Sequence, residues 1–236
     1  MISVDQIMNE LRALGSDQTV KTYRNHGANG EMFGVKIGDL KRVLKKIKGN
    51  QQLALQLWQT GNSDAMYLAA LAADGSQMTR GQLDDWAKSA WWYLLSEYAV
   101  PFVAAEHPKA TNIAMKWIKS KKENVASSGW STYGMAISIL PDDALDLQQI
   151  RDLLKMVETN LDSSSNRIRY TMNGFVIAVG AYVQPLLKNA KATARRIGTV
   201  GVNVGKTSCK VPLATQAIAK IEAMGRVGKK RNTVKC

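Results

Sequence analysis

Lys36-Ile-Gly-Asp-Leu40-Lys-Arg-Val-Leu-Lys45-Lys-Ile47 runs into Asn50–Gln59 and then into Asn62-Ser-Asp64-Ala-Met-Tyr-Leu-Ala-Ala-Leu71, three helix signals in succession separated by short polar turns. In the first, Ile37, Leu40, Val43, Leu44 and Ile47 fall on one face of a 3.6-residue period and the lysines on the other. In the third, Asn62-Ser63-Asp64 offers side-chain acceptors for the free N–H groups of a helix start, and the apolar run behind it suits a buried helix.

The same pattern extends in both directions. Val4, Ile7, Met8, Leu11 and Leu14 have amphipathic spacing that ends at Gly15. Met78-Thr79 opens an aromatic helix, Pro101 interrupts it or begins the next, and Pro108 and Pro141 sit where further helices should start. Helices near 109–120, 131–139, 142–160 and 166–188 complete the body, with almost no strand signal. Helix pairs of ten to fifteen residues with no sheet to cover predict an all-α fold: a HEAT-like helical-repeat solenoid of antiparallel helix pairs. The composition shifts after Arg196, where Ile197 to Pro212 alternates β-branched residues with glycine and polar residues, as in an extended loop or short hairpin. We therefore expect a helical-repeat domain over residues 1–196 and a basic C-terminal extension over 197–236, with one helix from Leu213 to Met224 and a loosely ordered tail from Arg226.

The chain has 236 residues and a formal net charge of +13, and the charge is uneven. Residues 186–236 hold twelve Lys or Arg against the single acid Glu222, while Lys36, Lys41, Arg42, Lys45, Lys46 and Lys48 face only Asp39. Such segments suit a phosphate backbone, giving affinity that depends on salt and carries no sequence information. No apolar run is long enough to span a bilayer and the N-terminus has no signal-peptide pattern, so a cytoplasmic protein is expected. Cys209, Cys236, His26 and His107 are scattered, which leaves no visible zinc set. The segment Gly201-Val-Asn-Val-Gly205-Lys206-Thr207 has three residues between its glycines where a phosphate-binding P-loop needs four, and no parallel-sheet pattern precedes it.

Between Trp86 and Pro101 lie Trp86, Trp91, Trp92, Tyr93, Glu97 and Tyr98. On a helix Tyr93 and Glu97 stand four apart on one face, an aromatic ring beside an anion, a pairing suited to a cationic guest. The bland reading is that these rings are core and that Glu97 is an exposed helix residue or a lysine's partner. Trp91, Trp92 and Tyr93 would span about 200° of a helix, so they cannot all face one core.

Tyr23-Arg-Asn-His26-Gly, Phe33-Gly-Val-Lys36, Leu40 to Lys45, Leu57-Trp58, Asp64 to Leu71, and Lys88-Ser-Ala-Trp-Trp through Val100-Pro-Phe102 resemble, in order and spacing, the HEAT-like-repeat DNA alkylation repair glycosylases of the AlkD type, over roughly residues 20–185. The segments Gly205–Pro212 and Gly225–Arg231 resemble a C-terminal extension in one branch of related proteins. The resemblance implies a curved array of helix pairs whose concave basic face holds duplex DNA. It also implies excision of cationic N3- or N7-alkylated purines without metal or cofactor. In that family aromatic rings contact the lesion's deoxyribose, and a carboxylate stabilises the developing oxocarbenium ion.

Carried over, Glu97 takes the place of the catalytic aspartate, Tyr93 that of a catalytic tryptophan and Phe175 that of a second one. Counting instead from the Trp pair gives Trp92 the aromatic role and puts Ser96 at the acid. An arginine of the family that grips the backbone is replaced near Gly129-Trp130. The expected partner is duplex DNA, alkylated or branched, and no protein partner is inferred. Candidate DNA contacts are Lys36, Lys41, Arg42, Lys45, Arg167, Arg169, Lys229, Lys230 and Arg231. Excision activity, non-catalytic binding of damaged or branched DNA, and a helical adaptor role all stay open at this point.

Overall fold

The computed structural model describes residues 2–235. Thirteen α-helices are described: α1 Val4–Leu14, α2 Asp17–Asn25, α3 Ile37–Ile47, α4 Gln51–Gln59, α5 Ser63–Ala72, α6 Arg80–Ser89, α7 Val100–Ala104, α8 Ala110–Ile118, α9 Glu123–Ile139, α10 Leu147–Asn160, α11 Asn166–Tyr182, α12 Leu187–Ile197 and α13 Ala214–Ala223. No strand occurs among the described residues. Helices α3, α5, α7, α9, α11 and α13 pack side by side as one layer, and α4, α6, α8, α10 and α12 back them. This is the expected repeat of antiparallel pairs. Every residue of α5 is buried, because it has neighbours on all sides.

Local chemistry explains the element ends. Ser3 and Thr79 head capping boxes with Gln6 and Gln82, and Asn50 and Asn62 cap α4 and α5 through their side chains. Asp64 does more than sit in a cap. It is 3% exposed and accepts from the amides of Phe33, Gly34 and Val35 at 2.7, 3.0 and 3.0 Å, which pins the 26–36 loop onto α5.

The aromatic segment departs from expectation. A continuous helix through Trp91 and Trp92 is not formed: α6 stops at Ser89, and helix resumes only at Tyr93. Asn124 on α9 explains the break, since its Nδ2 donates to the Ala87, Lys88 and Ala90 carbonyls at 3.0, 3.0 and 3.2 Å and serves acceptors that a longer helix would have used internally. Trp91 and Trp92 thus lie in a turn. The resumed helix contains a π-turn over Leu95–Ala99, in which Val100 N–H reaches Leu95 O. Pro101 supplies no N–H to the carbonyls before it, and the Ser128 hydroxyl donates to Ser96 O at 2.7 Å instead.

The basic tail is not loose. Residues 226–235 cross the C-terminal ends of the inner helices in turn. Gly228 N–H donates to Ala181 O, and Lys230 Nζ donates to Tyr182 O and Ile137 O at 2.9 and 3.0 Å. Arg231 N–H donates to Ser138 O, and Lys235 Nζ donates to Ala73 O. Lysines here satisfy carbonyls left over at helix ends and lie at the negative pole of each helix. Val234 is buried in the N-terminal core cluster.

The 198–213 segment is an extended loop that reaches from α11 to α2 and returns. Asn203 and Asn166 exchange two hydrogen bonds at 2.7 and 2.9 Å. Lys206 N–H then donates to Asn25 O at 2.8 Å. Gly205 has φ +82°, and a Cβ there would lie 2.2 Å from Asn25 O, so glycine is required where the two ends of the helical array are tied together.

Candidate nucleic-acid interface

The helix from Tyr93 and the first turns of α9 and α11 converge with the His26 turn and the Asn203–Gly205 loop on a cleft of about 300 Å³. Trp91, Trp92 and Tyr93 line one side and Asn124, Asn166 and Arg167 the other. Each ring on the aromatic side is held by its polar atom. Trp91 Nε1 donates to Gly61 O at 3.1 Å, Trp92 Nε1 donates to His26 O at 3.0 Å, and the Tyr93 hydroxyl meets His26 Nδ1 at 3.1 Å. Trp92 is 5% exposed and packs on Tyr23 at 5.1 Å, while Tyr93 and Trp91 stay half-buried at the cleft surface.

Glu97 is 2% exposed and does not line this cleft. Arg167 stands between them. Its Nε and a terminal nitrogen bind the two oxygens of Glu97 at 2.6 and 2.5 Å, a bidentate ion pair. The guanidinium is stacked between Tyr93, at 4.3 Å, and Tyr170, at 4.5 Å. Glu123 accepts the Arg167 backbone N–H at 2.8 Å and fixes the start of α11. Burial pushes the Glu97 carboxyl up to about 7, against the pull of the Arg167 guanidinium, which favours the carboxylate. The spacing of Tyr93 and Glu97 does bring ring and carboxylate to a cation, and that cation is the chain's own.

Phe175 lies elsewhere. It is 1% exposed and packs between Trp130 and Tyr133 at 5.2 and 5.7 Å, so it does not wall the Tyr93 cleft. A bulky ring on α11 at this position has α9 as its neighbour, and the hydrophobic core takes it.

The candidate DNA contacts divide in two. Lys36, Lys41, Arg42 and Lys45 are exposed on and beside α3, with Arg42 3.7 Å from Asp39. Lys229 and Arg231 are also exposed. Arg167 is committed to Glu97, and Lys230 to two carbonyls and to Asp142 at 2.9 Å. Arg169 is only partly exposed, and its Nε is buried. Sequence reasoning missed His26, Tyr170, Asn124 and Asn203 as parts of the site. Only the Tyr-Arg-Asn-His26 run carried a signal there, as part of the family resemblance and without a role attached to His26.

A layered array of helix pairs with an aromatic and cationic cleft at one end of its inner helices defines a HEAT-like helical-repeat protein. Residues 7–196 match the family described as DNA alkylation repair enzyme, and the chain belongs to that family. It is 38% identical over 226 residues to the uncharacterized protein Lin0241 of Listeria innocua and 36% identical to Lmo0209 of Listeria monocytogenes. Each alignment covers 93% of this chain and 97% of the relative. A solved structure described as a new family of proteins related to the HEAT-like repeat DNA glycosylases with affinity for branched DNA structures superposes with a TM-score of 0.91 at 37% identity, covering 100% of both chains.

Proposed function

We propose that this chain binds branched DNA without excising bases. The carrying observation is the Glu97–Arg167 pair. A glycosylase of this family needs a free anion to meet positive charge that develops on the sugar. Here both Glu97 oxygens are already bonded to Arg167, the carboxylate is almost fully buried, and the guanidinium, not the carboxylate, lines the Tyr93 cleft; Glu97 borders only the cleft between α9 and α11. A second cation forming beside Arg167 would be repelled rather than stabilised. The exposed Lys36, Lys41, Arg42 and Lys45 and the exposed Lys229 and Arg231 are the phosphate contacts in this reading. Branched DNA is favoured because the structural neighbour that covers the whole chain is described as having affinity for it.

The test uses methylated duplex DNA and a four-way junction. We expect no release of free 3-methyladenine or 7-methylguanine by wild type or by Glu97→Gln, together with salt-dependent binding that favours the junction over linear duplex. Alkylpurine release by wild type that Glu97→Gln abolishes would overturn the proposal and restore Glu97, Tyr93 and Trp92 as catalytic residues.

A further inference from the structure

A second cleft, of about 260 Å³, opens between α9 and α11 on the other side of the Glu97–Arg167 pair, with buried Glu97 among its lining residues. Tyr98, Tyr170 and Met135 are partly exposed along it, and Trp130 and Phe175 lie buried beneath. Gly174 borders it, is exposed, and an added Cβ there would meet no atom within 4 Å. With no side chain at Gly174, α11 leaves that border of the cleft open beside Tyr170.

Glu97 at the slot's edge is already bonded to Arg167, and two further polar features make the slot selective. Asn173 lines it and is 1% exposed; its Nδ2 donates to Pro212 O at 2.8 Å, and its Oδ1 has no hydrogen-bond partner. A buried acceptor left in that state is costly and is relieved by any donor that reaches it. Arg231 sits exposed at the rim, where a phosphate attached to an occupant would lie. Tyr170 is supported on one face by the Arg167 guanidinium at 4.5 Å, and Arg167 itself lines only the other cleft. An aliphatic occupant would match the apolar walls but would use neither Asn173 Oδ1 nor Arg231.

We infer that this cleft receives one unpaired nucleobase of branched DNA, stacked on the Tyr98 and Tyr170 wall with an edge N–H directed to Asn173 Oδ1. The inference rests on the DNA-binding reading above and adds what that reading lacks, a reason for preferring branches. A paired base is held inside the duplex, whereas a base at a branch point is free to leave the stack. The basic surface alone would bind any duplex equally.

The test compares a three-way junction carrying 2-aminopurine at its unpaired position with a linear duplex of equal length. Wild type should quench the 2-aminopurine and bind the junction about tenfold more tightly than the duplex, as one base–aromatic stack warrants. Gly174→Leu has room for its side chain in the slot and should lower junction affinity to the duplex level. Duplex affinity and its salt dependence should stay as in wild type. Tyr170→Leu, checked for folding by circular dichroism, should lose the quenching. An unquenched wild-type complex, or a Gly174→Leu protein with full junction preference, overturns the base-binding cleft while leaving DNA binding in place. A wild type that binds neither DNA removes both readings.

Discussion

Arg167→Met tests the chemistry at the centre of the molecule, because methionine keeps an unbranched chain between Tyr93 and Tyr170 and removes only the cation. The variant leaves a carboxylate that is 2% exposed without its two hydrogen bonds of 2.6 and 2.5 Å. Removing one partner of a buried ion pair typically costs about 3–5 kcal/mol. Glu97 can limit that loss by taking a proton, so the lower end, about 3 kcal/mol at pH 8, is expected.

The sign with pH follows from the same group. In wild type the folded Glu97 titrates near about 7, above its unfolded value, so the stability it contributes is full at low pH and is lost as pH rises to about 7. Without the guanidinium the folded value rises further. The variant then goes on losing stability at about 1.4 kcal/mol per unit through pH 8, where the wild-type slope has faded to nearly zero. Urea denaturation followed by tryptophan fluorescence at pH 6, 7 and 8 reads this directly. Adding Glu97→Gln to Arg167→Met should recover most of the loss and abolish the extra slope. Equal stabilities and equal slopes for the single and double variants would refute the reasoning, since Glu97 and Arg167 would then be energetically independent.

Three further outcomes are expected. Asp64→Ala strands three backbone N–H groups at once and should remove about 3 kcal/mol or more, seen as a fall in Tm of roughly 6–12 °C by calorimetry. Lys41→Ala and Lys45→Ala should each reduce the salt slope of DNA binding by about one, whereas Lys230→Ala should lower stability and leave that slope alone, which binding titrations across salt concentrations will separate. Asp84 resists burial, which raises its carboxyl, through Lys116 at 2.6 Å and Trp117 Nε1 at 2.7 Å, and these hold it below the usual carboxylate range. Its contribution is present above the unfolded value near about 4 and lost as pH falls through the folded one, so Asp84→Asn should flatten the acid limb of a stability–pH curve.

Much of the fold was open to reading because each amphipathic face needs only its own period. Leu40, Val43 and Ile47 are buried as their spacing requires, and Gly225, at φ +61°, follows α13 where a helix stop was expected. What could not be read depends on partners far along the chain. The break at Ala90 is stabilised by Asn124, a residue 34 positions away, and no local propensity reports it. Likewise the four-residue spacing of Tyr93 and Glu97 correctly placed a ring and an anion together. Its occupant, Arg167, lies 70 positions from Glu97 and was assigned to DNA because a cation in sequence carries no label of its counterion. The basic tail misled for the same reason. Lys230 and Lys235 look like surface charge until the helix ends they serve are seen.

That tail also bears on how the protein is made. Lys230 serves a carbonyl 93 positions earlier, Lys235 one 162 positions earlier, and Val234 fills the N-terminal core. A ribosome delivers α5 and α9 well before it delivers these residues. Until residues 230–235 emerge, the early helices hold unserved carbonyls and an incomplete core, so the structure closes late, by contacts of long sequence separation. A nascent chain stalled ahead of residue 230 should therefore present proteases with a looser N-terminal half than the finished protein does.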